Sequence, residues 1–152
     1  MKQCLKKILC ACALALLLSP MGHAWAKTLL FQDFSIDLPP DWRVVQDGNT
    51  TAFVALDKSA TMQVTVEHLA RMPKEGMGAK ELAEAYAEEF KGSAPVMEDN
   101  DPNYYSFTFQ APDGQDAEAS IVVSGSLFYL ISVSGKHDDL AGMVASMLLS
   151  IQ

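Results

Sequence analysis

A chain of 152 residues with 49% hydrophobic and 20% charged residues is the size of one folded domain and apolar enough to bury a core. Its formal net charge of −8 excludes the clustered-lysine route to nucleic acid or to an anionic membrane surface. Cys4, Cys10 and Cys12 are its only cysteines, so everything after them can form no disulfide, no thiolate metal site and no cysteine nucleophile.

The chain opens with the parts of a secretory signal peptide in their usual order. Lys2, Lys6 and Lys7 form a positive start, Ile8 to Leu18 is an apolar run, and Ser19-Pro20 breaks it. Ala24-Trp25-Ala26 then supplies an A-x-A site, which places cleavage between Ala26 and Lys27. An uncleaved anchor is excluded by reach. An apolar helix of about eleven residues covers ~17 Å, against a hydrocarbon core of ~30 Å. Leu9-Cys10-Ala11-Cys12 resembles a lipoprotein box, but a cut there leaves about four apolar residues where ~7–15 are usual. Three of the 11 basic residues and none of the 19 acidic ones precede Lys27, so the segment 27–152 carries a net charge of −11. Such a surplus keeps an exported protein soluble and leaves room for a cationic partner or a divalent ion.

Thr28 to Phe31 and Phe34 to Leu38 read as short strands. In the second, Phe34, Ile36 and Leu38 alternate with Ser35 and Asp37, the period of a half-buried strand. Pro39-Pro40-Asp41 is a turn, since Pro40 presets φ for its second position and Asp41 fits its third. Trp42 then folds back against the Phe34/Ile36/Leu38 face and is expected to be buried. Arg43 to Gln46 is a further extended piece, and Asp47-Gly48-Asn49 a turn. Thr51 to Leu56 and Thr61 to Leu69 are strands paired across Lys58-Ser59-Ala60; Met62, Val64 and Val66 mark the inner face of the second.

The period then changes. After a loop from Met72 to Gly78, Ala79, Leu82, Tyr86 and Phe90 fall on one helical stripe, which predicts a helix over 79–91. Gly92 stands where a left-handed helix C-cap belongs. Glu98-Asp99-Asn100-Asp101-Pro102-Asn103 is a turn. Tyr104 to Gln110, Ala117 to Ser124 and Leu127 to Ser134 are strands, the last two dense enough in apolar residues to be central and covered on one face by helices. Leu140, Met143, Val144, Met147, Leu148 and Ile151 form a wide stripe that predicts a C-terminal helix over about 138–150. Asp138 and Asp139 suit the positive end of its dipole. The fold class is therefore α+β: a mainly antiparallel sheet of about six or seven strands with two amphipathic helices packed on it.

The F-S-I-D-L-P-P-D-W segment from Phe34 to Trp42, the strand pairs, the helix over 79–91, the strand meander and the terminal helix ending in L-L-S-I resemble the PsbP/Mog-type α/β sandwich, a group that includes DcrB-like periplasmic proteins. The resemblance covers nearly all of 27–152. It implies accessory or binding roles more than catalysis: ion retention at a photosystem, binding of a small GTPase, or adaptor work. These roles share a fold and little else. None of the group's functional motifs is matched, so no site residue is carried over.

The candidate chemistry is thin. His68 ends a strand and reads as a rim or core residue. His137-Asp138-Asp139, joined by His68, would be a sparse ligand set for zinc, which takes three or four N, S or O donors. Serines are plentiful, yet no G-x-S-x-G elbow occurs, and Val123-Ser124-Gly125-Ser126 reads as a strand turning. The acidic run 98–101 fails the EF-hand template: counted from Asp99, position 6 is Tyr104 and position 12 is Gln110. Asn49-Thr50-Thr51 matches a glycosylation sequon. Met72 and Met77, in the loop before the first helix, are adaptable apolar side chains and the candidates for a partner surface, while Met143 and Met147 belong to the core. The expectation is a monomeric exported binding protein with no enzymatic activity. It takes an envelope protein as partner and uses no cofactor; divalent-ion binding, or a small metal-dependent hydrolase, is the alternative.

Overall fold

The structure is a computed structural model that describes residues 26–72 and 76–151. The leader expected over 1–26 thus lies outside the described residues except for Ala26, which is exposed. Among the described residues no helix is long and apolar enough to cross a membrane.

Among the described residues, nine strands and two α-helices follow one another. These are β1 (Lys27–Leu30), β2 (Ser35–Leu38), β3 (Trp42–Asp47), β4 (Thr50–Ala55) and β5 (Ala60–His68), then α1 (Ala79–Phe90). After them come β6 (Val96–Met97), β7 (Tyr104–Gln110), β8 (Asp116–Ser124), β9 (Leu127–Gly135) and α2 (Leu140–Ser150). The seven strands β3 to β9 form one sheet in the order β3-β4-β5-β9-β8-β7-β6, antiparallel at every join. Strands β1 and β2 make a separate hairpin.

Side-chain alternation divides this sheet into two faces. On the first, Phe53, Met62, Val64, Tyr129 and Ile131 are buried under the β1–β2 hairpin and α2, together with Phe34, Ile36, Met143 and Met147. On the second, Tyr105, Ile121 and Phe128 are buried under Ala79, Leu82 and Ala83 of α1. Phe107 and Ala119 meet Ala87 farther along the same helix. The helices therefore cover opposite faces of the sheet, not one. The dense apolar content of β8 and β9 reflects this: Phe128 and Tyr129 are neighbours in sequence, yet they belong to different cores.

Trp42 is 5% exposed, as its position after the turn requires. Its N–H donates to the Pro39 carbonyl at 3.2 Å, closing a turn with Pro40 and Asp41 at its centre. Two local expectations are corrected. Gly92 is not the left-handed residue that ends α1; Lys91 is, at φ 55°. Glycine is needed at 92 for space, because a Cβ there would stand 2.6 Å from the Thr108 carbonyl oxygen and 2.9 Å from the Phe107 ring. The second concerns α2, expected from about 138: it starts at Leu140, leaving Asp138 and the N-cap Asp139 outside it.

Candidate functional site

Two places gather chemistry. The first is a groove on the α2 side of the sheet. α2 lies over β9 and β2 and leaves the same face of β7 and β8 open. Tyr104, Ser106, Glu118 and Ser120 point to that face, because they alternate with the buried Tyr105, Phe107, Ala119 and Ile121. Leu140, Val144 and Leu148 of α2 form the facing wall, enclosing about 380 Å³ above Tyr104, Glu118 and Ser120. A second hollow of about 330 Å³ continues past Tyr104 and Leu148 to Asp99 and Asp101. Among the described residues no lysine or arginine lines either part. Burial pushes the Tyr104 phenol above its ordinary pKa; the Ser120 hydroxyl opposes this, and the charges of Glu98, Glu118 and Asp99 add to it. The groove thus has an apolar wall, an acidic floor and no base.

The second place is the corner where the Pro39–Trp42 turn meets the start of α2. His137 stands edge-on to the Trp42 indole, with ring centroids 5.0 Å apart. Its Nε2 lies 3.3 Å from Asp41 Oδ2, and its Nδ1 lies 3.5 Å from Asp139 Oδ2. The Asp139 backbone N–H also approaches Nδ1, at 3.3 Å. Asp139 stands at the N-cap of α2, the positive end of its dipole as expected, but its side chain makes no cap hydrogen bond and faces the imidazole.

The remaining candidates disperse. His68 is exposed at one end of β5, opposite Leu127, while His137 follows the other end of β9, where Gly135 pairs with Ala60. Eight strand positions separate the two ends, about 26 Å. No cleft joins the two histidines, and the pairing of His68 with His137-Asp138-Asp139 is not formed. Asp41 takes that place instead. Sequence reading missed it because Asp41 serves as a turn residue in its own segment. The available signal was its position beside Trp42, whose burial must carry its neighbour into contact with another element.

Met72 and Met77 are not a free apolar surface: both are half-buried against the core under α1. They are also on the opposite face from Trp42, which belongs to the core under α2. The acidic run over 98–101 is a hydrogen-bonded turn. Asp101 accepts the Asn103 N–H at 2.9 Å, and Glu98 accepts the Ser106 hydroxyl. The Asn49 amide donates to Glu67 at 2.6 Å. Two further hollows of about 590 Å³ each lie near the end of α1 and hold no histidine among the described residues.

No family model matches the chain, and no curated protein matches it. Among solved structures it is similar to the cyanobacterial PsbP protein (CyanoP) of Synechocystis sp. PCC 6803. Identity there is 12%, over 84% of this chain and 94% of that one, with a TM-score of 0.56. A protein from Bacteroides thetaiotaomicron VPI-5482 is similar at 15% identity and a TM-score of 0.50 over 83% of this chain, which spans 47% of that one. The chain has a PsbP-like α+β fold.

Proposed function

We propose that this PsbP-like chain is an exported accessory protein of the cell envelope, akin in role to the DcrB-like periplasmic proteins, that works by binding a partner protein and not by catalysis. The order of signals over 1–26 supports export. The observation that carries the binding role is the groove beside α2. Its wall of Leu140, Val144 and Leu148 over a floor of Tyr104, Glu118 and Ser120 suits a peptide segment that alternates apolar and basic side chains.

The test uses a photo-crosslinking residue at Ala145 in the groove and, as control, at Glu84 on α1. Both positions are exposed. In whole envelopes one protein is expected to crosslink from Ala145 alone, and Glu118→Lys is expected to abolish it. Equal crosslinking from both positions, or indifference to Glu118→Lys, would sink the proposal. Sequencing the N-terminus of exported material checks the leader: a start at Lys27 is expected, and a start at Met1 rejects it.

A further inference from the structure

Three stretches of chain converge beside Trp42: the turn over 39–42, the β4–β5 turn over 57–59, and the link over 136–139. Two backbone hydrogen bonds tie them, Leu56 N–H to the Asp41 carbonyl at 2.8 Å and Lys136 N–H to the Ser59 carbonyl at 3.1 Å. His137 is the fixed member of the group. Its side chain is only 15% exposed, whereas those of Asp41 and Asp139 are 52% and 44% exposed. One donor atom from each of the three lies within 4.8 Å of the other two, and no other group of three His, Cys, Asp or Glu side chains comes this close among the described residues.

We propose that Asp41, His137 and Asp139 bind one divalent cation of the zinc class. Zinc holds imidazole nitrogen and carboxylate oxygen at about 2.0–2.2 Å in tetrahedral array, which sets neighbouring donors about 3.3–3.6 Å apart. His137 Nε2 and Asp41 Oδ2 already stand at 3.3 Å. Asp139 supplies the third donor by a side-chain rotation that its exposure allows. Three protein ligands leave a position for water. The imidazole favours a borderline cation over calcium or magnesium, which take oxygen donors.

Electrostatics point the same way. Among the described residues no lysine or arginine lies within 4 Å of either carboxylate, so His137 is their only near cation when it carries a proton. Asp57 adds a third negative charge: its carboxyl is held below the ordinary value by hydrogen bonding from Ser59, whose backbone N–H donates to it at 2.8 Å, with a lesser contribution from the charge of His137. A bound ion would fasten the 39–42 turn to the start of α2, which are joined by no covalent crosslink. It would therefore raise thermal stability by mass action.

The experiment titrates zinc chloride and manganese chloride into the purified, chelator-stripped protein at neutral pH. The protein carries Cys4→Ser, Cys10→Ser, Cys12→Ser and His23→Ser wherever the leader is retained. Binding is read by calorimetry, by melting temperature, and by the imidazole nitrogen resonances of His137. One zinc per chain is expected, with a rise in melting temperature and a shift of the His137 resonances. Asp41→Asn and Asp139→Asn, both at exposed positions, are each expected to weaken binding at least about tenfold, and Asp101→Asn to leave it unchanged. Three outcomes would overturn the proposal: no saturable binding, binding indifferent to Asp41→Asn, or His137 resonances that move with pH and not with metal. The last would make the cluster an imidazolium held between two carboxylates.

Discussion

Gly92 and Gly142 are opposite cases of one residue type. At Gly92 the end of α1 approaches β7 so closely that a methyl group would press on the Thr108 carbonyl and the Phe107 ring. Gly92→Ala is expected to cost about 1–3 kcal/mol, read from urea unfolding. At Gly142 a Cβ meets nothing within 4 Å, and the residue sits exposed in the first turn of α2. There alanine is expected to stabilise by about 0.5–1 kcal/mol, because glycine loses more backbone freedom on folding. Tyr129 shows a third kind of constraint. Its hydroxyl donates to the Asp33 carbonyl at 2.9 Å, tying the core strand β9 to the bend after β1. Burial, and secondarily the charge of Asp33, push its phenol above the ordinary value of 10.0. A phenol harder to ionise when folded contributes stability that is full below about pH 10 and is lost as pH rises through its folded value. Tyr129→Phe is expected to cost about 1 kcal/mol near neutrality and to flatten the alkaline fall in melting temperature.

At the scale of elements, the β1–β2 hairpin depends on α2. The outer edge of β2 would show unpaired backbone groups, and two serines one helical turn apart meet them. Ser150 Oγ accepts the Ser35 N–H at 2.9 Å and itself approaches the Ser35 carbonyl at 3.1 Å. Ser146 Oγ accepts the Asp37 N–H at 3.1 Å. Both hydroxyls also donate to carbonyls within α2, those of Met143 and Met147. The helix stripe from Leu140 to Ile151 was legible in the sequence because apolar periodicity is local. The serines were not, because a polar residue on a helix reads as solvated until the strand beside it is known. Ser146→Ala with Ser150→Ala is expected to cost about 1–2 kcal/mol and to speed hydrogen exchange at the Ser35 and Asp37 amides while leaving α1 unchanged. Unaltered exchange at both amides would show that water replaces the hydroxyls at no cost.

At the scale of the molecule, one sheet carries two separate cores. Ile36 belongs to the core under α2 and Ile121 to the core under α1. Each is at most 1% exposed. Ile36→Val and Ile121→Val are each expected to cost about 0.5–1.5 kcal/mol. They should add within about 0.5 kcal/mol, because the sheet keeps them from sharing a cavity. A larger coupling in a double-mutant cycle would mean that the sheet transmits repacking from face to face. The same division explains the groove. Each helix covers only part of its face, and beside α2 the uncovered part of β7 and β8 carries Glu118, with Asp99 and Asp101 of the β6–β7 turn at its end.

The sequence by itself determined the elements and the sides they bury. Period-2 alternation marked the strands, period-3.6 stripes the helices, and a proline-aspartate turn sent Trp42 inward. Each of these signals depends on whether neighbouring side chains meet water or core, which a local stretch records. Only the tertiary structure decided that α1 and α2 take opposite faces, that Met72 and Met77 serve the core, that Gly92 yields space to β7, and that Asp41 meets His137. Those facts follow from strand order, which places β9 between β5 and β8 and carries the start of α2 back to the first turn of the sheet. A pattern of hydrophobicity fixes which side of a strand is buried, but contact between distant segments is set by how the strands are ordered in space.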